Sequence, residues 1–141
     1  MKLTRILLGL ILILLPSNLI SQIDSAEFYN LKLKSNRVHI FERTDGVFDN
    51  VKNLRLAETY FFFTPKGIYG MDEYGMLKYE FRSPLTFNKQ NQLNSFSIRG
   101  YDFDFRNDCT IVVYDYYKKD KYKIFFVYKK RQFVFDCDVV E

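Results

Sequence analysis

Apolar side chains recur at every second position through most of this chain, the period of a half-buried strand rather than of a helix. Leu77, Tyr79 and Phe81 alternate with Lys78, Glu80 and Arg82, and Tyr101, Phe103 and Phe105 alternate with Asp102 and Asp104. Turn formers separate such runs: Asp45-Gly46, Pro65-Lys66-Gly67, 72–75, Asn107-Asp108 and the charged 118–121. The pattern predicts strands near 27–33, 37–43, 57–63, 67–71, 76–82, 95–99, 101–106, 109–117, 122–128 and 132–139. Val51, Leu54 and Ala57 also fit a short helix over 50–58, and 83–94, with its Asn, Gln and Pro84, reads as the longest loop. Turns spaced by about 8–12 residues, with short connections, predict an all-β fold with little helix. It would be an antiparallel barrel or sandwich of about 8–10 short strands.

The last three strands form a predicted C-terminal meander. If 118–121 is a four-residue turn and Lys130-Arg131 a two-residue one, Tyr117 opposes Tyr122 and Lys129 opposes Gln132. One face then carries Cys109, Ile111, Val113, Ile124, Phe126, Tyr128, Phe133, Phe135, Cys137 and Val139, a core face. The other is mixed. Lys123 and Asp138 share a row, Phe125 lies between Tyr114 and Asp136, and Val112, Val127 and Val134 line the centre. A wet face should be more uniformly polar, so cover by the rest of the chain, a ligand or a subunit is expected. The candidate partner surface is Tyr114, Tyr116, Lys123, Phe125, Asp136 and Asp138. Tyrosine joins an apolar ring to a hydroxyl and so suits such contacts, although ordinary cross-strand packing accounts for the same residues.

The N-terminus departs from this pattern. Lys2 and Arg5 precede an uncharged apolar run over 6–15, broken at Pro16 and followed by small or polar residues. That is the layout of a signal peptide, about half the length a spanning helix needs. The expectation is a leader over 1–21, cleaved after Ser21, and a single all-β domain over 22–141, exported to the periplasm or secreted. No membrane span would remain after cleavage. The whole chain has 21 basic and 17 acidic residues. Without Lys2 and Arg5 the basic count falls to 19, a surplus of two, too small to indicate nucleic acid.

Export makes a Cys109–Cys137 disulfide the default. The meander register opposes it, because it sets the two thiols six residues apart along the strands and two strands apart laterally. That separation is about 20 Å, beyond the ~7 Å between Cα atoms that a disulfide spans. A final strand that crossed to a facing sheet would restore the bond.

Motifs for catalysis are missing. His39 is the sole histidine and cannot complete a zinc site or a triad without distant partners. Asp102, Asp104, Asn107 and Asp108 offer oxygen ligands for calcium, but without EF-hand spacing, and outward strand acids leading into a turn explain them equally. No glycine-rich phosphate loop, nucleophile elbow or cofactor motif is present. The leading expectation is therefore a non-enzymatic exported binding or interaction module. Its partner would be a protein, a glycan or an apolar ligand, and nothing in the chain specifies an oligomeric state. Two alternatives stand beside it: a lipocalin-like small-molecule barrel, at the level of fold only, and a small hydrolase whose carboxylates converge in three dimensions.

Overall fold

The computed structural model describes residues 26–90, 93–116 and 120–140. The expected leader and its cleavage site lie outside the described residues.

Nine strands form one antiparallel sheet: β1 (Lys32–Thr44), β2 (Val47–Phe63), β3 (Gly67–Asp72), β4 (Gly75–Phe81), β5 (Thr86–Gln90), β6 (Leu93–Asp102), β7 (Asn107–Tyr116), β8 (Lys121–Val127) and β9 (Arg131–Val139). They neighbour one another in the order β4-β3-β2-β1-β9-β8-β7-β6-β5, and β4 also pairs with β6. That last pairing closes eight strands into an up-and-down barrel, with β5 as an extra strand. Of the expected barrel or sandwich, the barrel is what forms. The closing seam divides one edge of β6: 93–97 pair with β5, and 100–102 pair with 79–81 of β4.

The turns explain why neighbouring strands find each other. Asp45 and Gly46 have φ of 51° and 81°, so both central residues of the β1–β2 hairpin lie in the left-handed region that Asp-Gly tolerates. Gly67 sits where a Cβ would come within 2.0 Å of the Tyr79 carbonyl oxygen, so only glycine lets β3 approach β4 there.

Several expectations are corrected. Residues 26–28 form a helical turn instead of a strand, and β1 begins at Lys32. Residues 50–58 belong to β2, where β-branched and aromatic neighbours and a full ladder with β1 outweigh their helical spacing. The expected loop at 83–94 contains β5. The two strands over 95–106 are one, ending at Asp102, with a turn over 103–106.

The meander forms with every core-face residue inward or half-buried at the core. Its register differs from the expected one by a two-residue step at both hairpins. Tyr116 pairs with Lys121, and the Tyr128 N–H donates the closing bond to the Arg131 carbonyl on the other side of Lys129-Lys130. Each turn has moved by one position along the chain. Such a move shifts every cross-strand partner by two residues yet leaves each side chain on its expected face.

The interior is packed along its length and finished differently at its two ends. At one end the helical turn inserts Phe28, fully buried, against Phe63, Phe81 and Phe96 at ring distances of 5.2, 5.9 and 5.3 Å. The Tyr122 hydroxyl donates to Glu27 across the same end, at 3.2 Å. The other end, where β6 turns into β7 and β8 into β9, is open.

Candidate functional site in the open end of the barrel

The open end begins with a bulge. Between Ser35 and Arg37 strand β1 carries one residue more than β9, and β2 carries two more than β1. Ser35 is buried and holds the irregularity: its hydroxyl donates to the carbonyl oxygens of Arg37 and Asp136, at 2.9 and 2.6 Å, and accepts the Arg37 N–H at 3.2 Å. Bulges bend and overtwist a strand pair. Beyond this one the β1–β2 ribbon parts from β3. The β2–β3 ladder covers only 60–63 against 68–71, so among the described residues 47–59 of β2 have no strand neighbour on that edge.

The gap gives access to a cavity of about 410 Å³. Val38 and Ile40 of β1, their ladder neighbours Phe135 and Phe133 of β9, Leu54 and Leu56 of β2, and Leu77 of β4 give it apolar walls. Tyr74, 89% exposed, and Phe105 stand at its mouth.

Three hydroxyl or carboxyl groups converge on this cavity from β4, β6 and the end of β8: Tyr79, Asp102 and Tyr128. Asp102, only 1% exposed, continues the inward phase of Phe96, Ile98 and Gly100. One carboxylate oxygen accepts the N–H groups of Asp104 and Phe105, at 2.9 and 3.3 Å, and so forms the turn into β7. The other accepts the Tyr128 hydroxyl. Tyr79 stacks on Phe126 at 4.5 Å.

Burial raises the pKa of Tyr79 well above the usual phenol value, with the Asp102 charge adding to it. Tyr128 is also raised far above that value, chiefly by burial and then by the nearby Tyr79 and Asp102. The thiol of Cys109 is pushed up to about 12, by burial first and Asp102 second. All three therefore stay protonated at neutral pH. They are suited to hydrogen bonding and not to nucleophilic attack.

Sequence reasoning placed Asp102 outward, in phase with Asp104, and gave no role to Tyr79 or Tyr128. The usable signal was the inward run Phe96, Ile98, Gly100, which carries Asp102 inside if followed one step further. The four calcium candidates are accordingly split, with Asp102 turned into the barrel and Asp104 hydrogen-bonded to it through its backbone.

The expected partner surface lies on the outside of the wall. Tyr114, Lys123 and Asp136 form one row, and Phe125 lies between Val112 and Val134, correcting the expected pairing of Lys123 with Asp138 and of Phe125 with Tyr114 and Asp136. Lys121 pairs with Asp138 in an ion pair, and Tyr116 is its ladder neighbour on the other side. Lys123 and His39 meet Asp136 at 3.4 and 2.8 Å, and His39 also bonds Asn53 at 2.6 Å. Burial disfavours the Asp136 charge, but the His39 bond and the Lys123 charge outweigh it and hold its pKa below the usual carboxylate value. The rings of Tyr114 and Phe125 pack edge-on at 5.1 Å. Among the described residues no other element covers this face, so the expected cover by the rest of the chain does not form, because a sheet that closes on itself turns its second face outward.

The expected disulfide is absent: Cys109 and Cys137 are both buried free thiols. Cys137 opposes Tyr122, and Tyr122 opposes Asp115, six residues along β7 from Cys109. The thiols thus sit toward opposite ends of the barrel, about 20 Å apart.

Comparison with protein-family models, curated proteins and solved structures finds no match to this chain.

Proposed function

We propose that this is an exported, non-enzymatic binding protein that holds a small apolar molecule in the open end of its barrel. The observation that carries the reading is the cavity of about 410 Å³ with apolar walls and three converging polar groups. Small-molecule sites are usually of this kind: concave, roughly 300–1,000 Å³, mainly apolar, with a few fixed polar groups. Eight strands make a barrel just wide enough for one small ligand. The outer face of the meander is a weaker candidate, since its charged groups are already paired with one another in Lys123–Asp136–His39 and Lys121–Asp138. Those outward ion pairs also suit a wall that faces water, whereas a membrane barrel presents an apolar band.

Catalysis is disfavoured by the same geometry. Asp102 is engaged by Tyr128 and by its turn, and Asp72 accepts the N–H groups of Tyr74 and Gly75 at 2.8 and 3.0 Å. Two of the four carboxylates that line the cavity therefore serve structure, and Glu73 and Asp104 are the others. Export rests on the leader layout of residues 1–21.

The test is titration with N-phenyl-1-naphthylamine, an uncharged fluorophore that brightens in apolar surroundings. Saturable binding is expected, with about a tenfold loss in Ala57→Trp, which fills the mouth from an exposed position on β2. Absence of binding by the intact protein, or unchanged binding in a folded Ala57→Trp variant, would overturn the proposal.

A further inference from the structure

A second depression, of about 630 Å³, adjoins the apolar cavity and shares Phe105, Tyr128 and Phe133 with it. Its remaining wall is strongly basic: Arg43, Lys129, Lys130 and Arg131 stand around a single carboxylate, Glu42. Glu42 is committed to Arg131 at 3.2 Å. Arg43 lies over the Phe48 ring at 4.4 Å, a contact that leaves its charge in place. Among the described residues, Lys129 and Lys130 have no ion-pair partner. The β8–β9 turn that carries them is anchored through its backbone, where Tyr128 and Arg43 donate to the carbonyls of Arg131 and Lys130 at 2.8 and 2.9 Å.

Apart from Glu42, the acids that line these two depressions are on the other side. Asp72, Glu73 and Asp104 border the apolar cavity and not the basic depression. A ligand entering here meets a charge gradient across the mouth, negative beside the β3–β4 turn and positive beside the β8–β9 turn.

We infer that the ligand is a single-chain amphiphile with an anionic head group, its tail in the apolar cavity and its head against Arg43, Lys129 and Lys130. This rests on the proposed binding role and adds the ligand class. The two depressions touch through three shared aromatic walls, so one molecule can occupy both at once. An anionic head in the basic depression gains the donors of Lys129 and Lys130 and need not displace the Glu42–Arg131 pair. A cationic head has no comparable recess, because the acids border the apolar cavity itself and Asp72 is held by its own turn.

Displacement of N-phenyl-1-naphthylamine by decanoate, decanol and decyltrimethylammonium, equal in chain length and different in head charge, tests this. Decanoate is expected to displace the probe at about tenfold lower concentration than decanol, as one charge-assisted contact supplies. The preference should shrink toward about 1 M salt, where screening reaches ~3 Å. It should be lost in the double variant Lys129→Gln, Lys130→Gln, while decanol and the probe bind as before. Equal displacement by decanoate and decanol, tighter displacement by the cation, or a preference that survives the double variant would overturn the inference and leave the apolar binding role standing. Failure of the probe and all three amphiphiles to bind would overturn both.

Discussion

At its closed end the barrel is filled with rings: Phe28, fully buried, meets Phe63, Phe81 and Phe96, and the Tyr122 hydroxyl donates to Glu27 near them. At its open end the same inward positions carry Asp102, Tyr128 and Cys109, and the β1–β2 ribbon bends away over a space that no side chain of the described residues occupies. The strands are continuous between the two ends, so the difference lies in what finishes them. One end is completed by a local chain segment that brings its own apolar residue. The other is completed by turns whose buried carboxyl and hydroxyl groups satisfy each other and the backbone. A closed end contributes stability through burial, and an open one gives up part of that burial to leave room for a ligand.

The largest effect should come from breaking the closed end. Phe28→Ala leaves a cavity among the rings of Tyr29, Phe63, Phe81 and Phe96 and should cost about 3–5 kcal/mol, read from the denaturant midpoint at constant slope. A loss below about 1 kcal/mol would mean that the aromatic plug is not what closes the barrel.

Tyr128→Phe should cost less, about 1.5–3 kcal/mol, by removing the one side-chain donor to the buried Asp102. Together with Phe28→Ala it should be nearly additive, since the sites lie at opposite ends and share no partner. Strong coupling between the two would show that the ends are not independent. Binding of the uncharged probe should change in Tyr128→Phe and stay unchanged in a folded Phe28→Ala protein.

The smallest effect is alkaline. Cys109 is raised to about 12, and Cys137 is raised as well, by burial first and then by Asp136 and Asp138. An unfolded thiol ionises near pH 8.5, so between that value and the folded one deprotonation favours the unfolded chain. Stability is whole below about pH 8.5 and declines above it. Cys109 interacts with Asp102 and Tyr128 and has the lower value of the two, so mass spectrometry after iodoacetamide treatment at rising pH should find label on Cys109 before Cys137. Label on Cys137 first would reverse the assignment of the more protected end.

Legibility from sequence followed the same division between local and distant. The ten core-face residues of the meander were readable because the pleat alternates with every residue and needs no knowledge of what lies opposite. Asp45-Gly46 was readable as a turn because both residues tolerate positive φ. Asp102 was missed for a physical reason. Tyr101, Phe103 and Phe105 continue an apolar alternation straight through the end of β6, although the last two stand outside, at 39% and 60% exposure. The buried member of the set is the acid, made tenable by two N–H groups of its own turn and by the Tyr128 hydroxyl, 26 residues further on.

The sequence alone determined that the chain is antiparallel β, which face of each C-terminal strand is apolar, and where most turns fall. These follow from side-chain period and backbone preference, both properties of a few adjacent residues. Tertiary structure decided the rest. The pairing of β4 with β6 closed the sheet, and a one-position move of two turns changed every cross-strand neighbour while sparing the faces. The bulge at Ser35 opened the wall above Asp102 and Tyr128. Each of those outcomes depends on contacts between residues far apart in the chain, which no local period records.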